Sequence, residues 1–451
     1  MRNYLLLLLA GVFLLAGSNV RGQKSWTLDQ CIQYAIANNL DVKDRGIQSD
    51  INKEAFNQSK RNLLPYVSLS GSGSNSFGKS LDYDTYEYTN TSQFYGNYSL
   101  STGIDLFRGF TRQNTISYRK LSYLAGIEDE KQQRYDIAFS VMGAYYNTVY
   151  YHGLMEIVGE QKELSRMNVE RAQKQVELGL KAKSDLLEME SRMAKEELTY
   201  IQTENYYKKA LLDLRQTMNI APEEDLTIEF ESSQEGIVVV QATTPAAIFA
   251  EAQNFYPTLK SFELRKEAAQ KNISIAKGSL WPSLGLGAGY SSYYSKMKGN
   301  TNGESFSSQL KNNASQYFGF SLDIPVFQKF GLRSDVKQAR LNYMKAEVNL
   351  EKTSQQLLNE ITLNYQELES FNAEYDQLVK QVDFSQVAYD AAVKKMEQGL
   401  ISVIELYSSK NVLAQAKSDL LRTKLQYIVK RKTIDYYLGK PVFEISELNE
   451  N

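Results

Sequence analysis

The sequence predicts an internally duplicated α+β membrane protein, with two helix–strand–strand–helix–helix repeats in series. Each copy of the chain is expected to supply long coiled-coil-like helices and four strands of a transmembrane β-barrel. Three observations carry this. First, marks recur about 220 residues apart, as in proteins built from repeated units. Thr27 answers Thr244, and residues 60–69 (KRNLLPYVSL) answer 277–286 (KGSLWPSLGL), with Pro65 against Pro282. Leu106, Phe107 and Phe110 answer Val326, Phe327 and Phe330; Gly179, Leu180 and Asp185 answer Gly399, Leu400 and Glu405. Asn219 and Pro222 answer Gly439 and Pro441. Second, no proline occurs between Pro65 and Pro222 or between Pro325 and Pro441. Those gaps admit very long helices, since an interior proline costs about 3 kcal/mol. Third, four runs alternate apolar and small polar residues over about 11 to 14 positions, longer than the 5 or 6 of a typical soluble strand.

Residues 1–22 read as a secretory signal peptide: Arg2 starts it, Leu5 to Leu15 form a short apolar core, and cleavage is expected after Gly22. Ser18 stands where a lipoprotein signal needs cysteine, so no lipid anchor is expected. The first repeat covers 23–221. Thr27 with Gln30 has the capping-box form, opening a helix over 27–61 that stops before Pro65. A β-hairpin is expected over 65–108. Val67 and Leu69 alternate with Ser68 and Ser70, and Tyr98, Leu100, Thr102, Ile104 and Leu106 share one face of the return run. A long helix over 111–178 and a return helix over 184–218 follow. Ile137, Val141, Ala144, Thr148, Tyr151, Met155 and Val158 step by three and four, the spacing of a coiled-coil seam.

A linker is expected over 222–243, then the second repeat over 244–441 and a tail over 442–451. Thr244 caps a helix over 244–279 with Pro245 at its first position. The hairpin over 282–328 sets Leu284, Leu286, Ala288 and Tyr290 against Phe318, Phe320, Leu322, Ile324 and Val326, with glycines and serines between. Connectors at about 78–92 and 296–315 read as exposed loops. The closing helices span 332–398, whose seam holds Leu368, Phe371, Tyr375, Leu378 and Val382, and 402–438. At 1.5 Å per residue a long helix reaches roughly 100 Å and each shorter one roughly 50 Å, so two short helices stacked end to end match one long one.

Composition narrows the chemistry. Lys and Arg total 51 against 53 Asp and Glu, a balance that argues against nucleic acid as a partner. His152 is the sole histidine and reads as a polar helix-surface residue, leaving little from which to build a metal cluster or a Ser-His-Asp triad. Cys31 is the sole cysteine, so no internal disulfide can form. No phosphate-cradling glycine loop is present. No catalytic residue, cofactor or metal is expected. The 31 tyrosines and 19 phenylalanines suit the interfacial girdles of membrane strands.

Four strands cannot sit alone in a bilayer, because two open edges would leave amides unpaired in hydrocarbon. Two chains give eight strands and a filled barrel; three give twelve and a lumen, which the Gly- and Ser-rich inner face favours. In these features the mature chain resembles the TolC-type outer-membrane efflux proteins. The carriers are the capped helix at 27–39, the strand starts Leu64–Pro65 and Trp281–Pro282, the strand ends Leu106–Phe107 and Val326–Phe327, and the Gly-Leu turns. The resemblance implies a homotrimer: a twelve-stranded barrel in outer-membrane lipid above an α-helical tunnel through the periplasm. It also implies docking on a periplasmic adaptor and an inner-membrane pump, of RND or ABC type, for drug efflux or protein export.

The same resemblance assigns roles to the turns. Gly179, Leu180, Lys181 and Ala182, with Gly399, Leu400, Ile401 and Ser402, stand where adaptor hairpins would dock. Asp185 and Glu405 follow them at the expected periplasmic gate and selectivity site, with Ser408 beside it, and Glu405 matches an acidic ring at the periplasmic mouth. From Ser402 to Glu405 the chain also has capping-box form, and the two roles are compatible. A second acidic position is Ser408 here, and an expected arginine is Ile401, so a more weakly latched entrance is expected. The competing reading is a secreted or periplasmic coiled-coil scaffold whose hairpins are soluble caps.

Overall fold

In the computed structural model the described residues are 25–81, 86–221, 226–230, 244–298 and 304–443. The expected signal segment, all of the expected linker but 226–230, and all of the expected tail but its first two residues lie outside them. A short strand β1 (Ser25–Trp26) precedes α1 (Leu28–Asn38), which the capping box opens: Thr27 Oγ1 accepts from Gln30 N at 3.3 Å and Gln30 Oε1 from Thr27 N at 3.5 Å. The one helix expected over 27–61 is in fact two, α1 and α2 (Leu40–Arg61). Asn39 divides them. Its backbone is extended, with φ −63° and ψ 133°, and its Oδ1 accepts from the amides of Asp41 at 2.8 Å and Val42 at 3.3 Å. One side chain thereby caps the next helix, a lower-energy arrangement than leaving those amides bare.

Next come β2 (Tyr66–Leu81), β3 (Tyr88–Arg108), the 67-residue α3 (Thr111–Glu177), α4 (Lys183–Met218) and β4 (Thr227–Ile228). In the second repeat, α5 (Pro245–Ala252) and α6 (Pro257–Gly278) again replace one expected helix. Thr244 caps α5 through Ala247 N at 3.3 Å, as expected. Pro257 disfavours helical backbone at Tyr256 and lacks an amide, so it can only begin a new helix. Then follow β5 (Ser283–Met297), α7 (Phe306–Asn312), β6 (Ser315–Asp323), the 67-residue α8 (Gly331–Glu397) and α9 (Val403–Tyr437). Helix α7 lies in a connector expected to be loop, and Ser305 caps it through Ser308 N at 3.3 Å. Strand β6 holds 9 residues and stops short of the expected Val326; Pro325, just beyond it, has no amide for a ladder.

The chain divides into two compact units. One comprises Arg45–Glu130 and Pro257–Gln355. Its centre is an antiparallel sheet in the order β2-β3-β5-β6, so the two hairpins join through β3 and β5. The registers place Val67 against Thr102, Leu69 against Leu100, Leu100 against Tyr290 and Leu286 against Phe320, all on one face. Val67, Leu69, Phe318, Phe320 and Leu322 on that face are exposed. The other face carries Ser68, Ser70, Ser99, Ser101 and Gly287; Ser68 and Ser101 hydroxyls lie 2.7 Å apart, as do those of Ser70 and Ser99. Aromatic pairs gather near the loop end, with Tyr95 on Tyr293 at 5.6 Å and Phe94 near Tyr294 at 6.0 Å.

At the opposite end each hairpin passes into its long helix through two successive left-handed residues: Gly109 and Phe110 (φ 56° and 59°), then Lys329 and Phe330 (φ 51° and 63°). Phe107 meets Phe110 edge-on at 5.3 Å, and Phe327 meets Phe330 edge-on at 5.6 Å. The duplication therefore reaches down to backbone conformation.

The described residues of the other unit are 25–44, 131–221, 226–230, 244–256 and 356–443. It holds two corresponding cores. One packs Cys31, Ile32 and Ala35 of α1 against Ile137, Val141, Met142 and Tyr145 of α3 and Leu214 and Met218 of α4. The other packs Ile248 and Ala252 of α5 against Leu357, Ile361 and Leu368 of α8 and Tyr427, Ile434, Tyr436 and Tyr437 of α9. Strands β1 and β4 pair in parallel beside the first core, a contact that no sequence pattern announced.

Candidate functional site

The two helix reversals are built alike. At the end of α3, Gly179 N donates to Val176 O at 3.0 Å and Leu180 N to Gln175 O at 2.8 Å; at the end of α8, Gly399 N donates to Met396 O at 3.1 Å and Leu400 N to Lys395 O at 2.9 Å. Both glycines have φ of 71°. This is the Schellman cap, which satisfies the last carbonyls of a helix and needs a left-handed residue at its pivot. The residue after the pivot normally folds back onto an apolar neighbour one turn earlier. Here the facing positions are Gln175 and Lys395, so Leu180 and Leu400 stay 76% and 68% exposed. Each turn therefore presents one outward leucine.

The reversals differ on their exit side. Ser402 caps α9, its hydroxyl accepting from Glu405 N at 3.3 Å, whereas Ala182 opens α4 with no side-chain cap. The Ser402–Glu405 box is only half formed, and the Glu405 side chain remains exposed. Asp185 holds the matching place in α4, half-buried, with its amide donating to Ala182 O at 3.2 Å. Ser408 lies one turn beyond Glu405 and is exposed beside it. Lys181 is half-buried, and Ile401 packs on the cluster of Tyr389, Leu406 and Leu413. The structure thus brings the predicted residues into two equivalent turns. Both acidic side chains sit in the first turn of a helix, where negative charge is favourable. Among the described residues no group of three or more His, Cys, Asp or Glu side chains is arranged to hold a metal.

Sequence reasoning missed Lys410. Its side chain is 1% exposed, and Nζ donates to Gln161 O at 2.7 Å, Ser165 Oγ at 2.7 Å and both Glu196 carboxylate oxygens at 2.9 Å. Ser165 also donates to Tyr407 OH at 3.0 Å. Burial pulls the Lys410 pKa below the usual lysine value, with Glu196 acting in the opposite sense. The signal was present: Val403, Leu406, Tyr407, Lys410 and Leu413 trace the buried stripe of α9, and a lysine interrupts it. Gly109 and Gly278 were missed as a pair. A Cβ on Gly109 would lie 2.0 Å from Gly278 O, so two backbones touch there.

Compared with known proteins, residues 31–219 and 249–440 match the family model described as outer membrane efflux protein. The chain is similar to outer membrane protein TolC of Salmonella enteritidis, 23% identical over 432 residues, or 91% of this chain and 82% of that protein. Alkaline protease secretion protein AprF of Pseudomonas aeruginosa is 24% identical over 367 residues, 80% of this chain and 71% of its own. Among solved structures, the outer membrane protein VceC of Vibrio cholerae superposes with a TM-score of 0.74 at 15% identity, covering 92% of this chain and 96% of that one.

Proposed function

The chain belongs to the outer membrane efflux protein family and lies in the outer membrane, and from that premise we propose that three copies form a passive export duct. Small molecules or proteins would pass through it from the periplasm, or from an inner-membrane pump, to the exterior. One observation carries the reading: a four-stranded sheet with an exposed apolar face and two end strands, β2 and β6, that have no outer neighbour among the described residues. In hydrocarbon such edges have to be paired, and three copies supply the twelve strands that leave a lumen. The serine and glycine face would line that lumen, and the apolar face would meet lipid. The full chain purified in detergent should run as a heat-sensitive trimer and give discrete conductance in planar bilayers. A monomer that stays in the soluble fraction would return the scaffold reading.

The outward leucines of the reversals fit the apolar face of a helical hairpin, the form expected of a periplasmic adaptor that links the duct to an RND- or ABC-type pump. Around a threefold axis, Glu405 would form a ring of three carboxylates, with Asp185 at the matching place of the other turn and Ser408 adding no charge. Like charges at one mouth attract cations and oppose anions. Glu405→Ala should lower cation selectivity in planar bilayers; unchanged selectivity would remove the gate role. Replacing Leu180 and Leu400 together by aspartate should abolish export while trimers still assemble, and undiminished export would remove the docking role.

A further inference from the structure

Three contacts in the helical unit show that the two reversals are not level. Arg171 Nη1 and Glu397 Oε1 are 2.9 Å apart, yet Arg171 is eight residues before Gly179 and Glu397 only two before Gly399. Val403, one residue past Ser402, packs in one cluster with Met189, seven past Ala182. Lys410, eight past Ser402, bonds Glu196, fourteen past Ala182, and Ser165, fourteen before Gly179. These three give an offset of six residues, while Lys417 against Glu160 gives four and Lys410 against Gln161 gives ten, all of the same sign. At 1.5 Å rise per residue, the second turn stops roughly 6–15 Å short of the first.

Apolar packing alone does not fix such an offset. Most of the stripe that joins α9 to α3 and α4 is aliphatic, and such residues pack acceptably after a one-turn slide; Tyr407, which accepts from Ser165 Oγ at 3.0 Å, is part of the same polar cluster as Lys410. Lys410 does not tolerate the slide. Its ammonium has three protons, and Gln161 O, Ser165 Oγ and Glu196 accept all three in this register. One turn away the charge would be buried without those acceptors, a costly state that excludes the slipped arrangement. Buried polar groups in coiled coils select register by this means.

We propose that Lys410 is a positioning residue that sets the stagger, holding the turn of Leu400 and Glu405 behind the turn of Leu180 by engaging α3 and α4 from α9. The turn of Leu180 then projects beyond the turn of Leu400, and Glu405 sits recessed behind it. A partner that touches both turns must present a stepped surface rather than a flat one. The inference rests on contacts inside one unit and does not depend on conduction or docking.

Cross-linking of the full chain in detergent tests it. Cysteine pairs at Arg171/Glu397 report the native register, while Met167/Glu397 and Gln175/Glu397 report a slide of one turn either way. Cys31, being buried, does not compete for a short bis-maleimide. In the otherwise native chain the first pair should react about tenfold faster than the flanking pairs. K410M and E196L should bring the three rates to within about twofold, whereas E196Q, which keeps an acceptor for Nζ, should retain the preference. Stability is not the readout, since removing one partner of a buried ion pair is destabilising whatever the register. An unchanged preference in helical, correctly folded K410M or E196L overturns the proposal.

Discussion

Cys31 lies fully buried in the first core, and burial pushes its thiol up to about 12. Reactivity belongs to the thiolate, so a free cysteine in an exported protein is harmless here. At pH 8, maleimide labelling of the folded protein should be at least about a hundredfold slower than in denaturant. Rapid labelling of the native protein would show that α1 opens from the core. Gly109 is constrained differently. Its φ of 56° suits glycine, and the Gly278 carbonyl occupies the space of a Cβ. Gly109→Ala should therefore destabilise by about 3 kcal/mol or more, read as a lowered unfolding temperature. Gly331→Ala, where a Cβ meets nothing within 4 Å, is the control and should change little. Both glycines were visible in the sequence, but their different weights were not. Weight came from a second backbone 169 positions away in the chain.

At the scale of elements, the duplicated units share end chemistry but not every cap. The Ser402 hydroxyl satisfies an α9 amide, whereas Ala182 has no side-chain cap to offer α4. Ser402→Ala should lower stability by about 1 kcal/mol, and Ala182→Ser should raise it by a similar amount, both measured by denaturation of the full chain. Equal responses of opposite sign would confirm that the capping hydroxyl is the difference between the two reversals. Helix starts, the Gly-Leu turns and the alternating strands could be read directly, because each depends on residues within one or two turns. The divisions at Asn39 and Pro257 also rest on local residues, a capping asparagine and a proline without an amide. Helix α7 escaped because its polar residues resemble loop; Ser292 Oγ donating to Leu310 O and Gln309 accepting from Ser295 N anchor it to the sheet. The connector is ordered by tertiary contacts that its composition does not reveal.

At the scale of the whole molecule, the helical unit buries an unusual set of tyrosines. Burial raises the pKa of Tyr436 and of Tyr437, and neighbouring Glu360, which accepts from Tyr437 OH at 2.8 Å, raises Tyr437 further. In the unfolded chain these phenols ionise near pH 10, whereas in the native state they stay neutral well beyond it. Above pH 10 unfolding therefore releases protons, so stability falls as pH rises. Unfolding temperatures measured from pH 9 to 11.5 should decline steeply past about pH 10, and Tyr437→Phe should flatten the slope. An unchanged slope in that variant would mean that other groups carry the alkaline transition. Assembly belongs to this scale too. A sheet with an exposed apolar face, whose end strands have no outer neighbour among the described residues, is stable in a bilayer only as part of a closed barrel.

By itself the sequence determined the duplication, the helix and strand periods, the proline and glycine punctuation, and the residues at both reversals. These follow from interactions spanning a few positions, which a linear reading contains. Only the tertiary structure decided the joining of β3 to β5, the contact of Gly109 with Gly278, and the three acceptors around Lys410. It also decided the offset between the reversals. Each of those depends on which distant surfaces meet and at what register, and that choice is made by packing and burial summed over the fold.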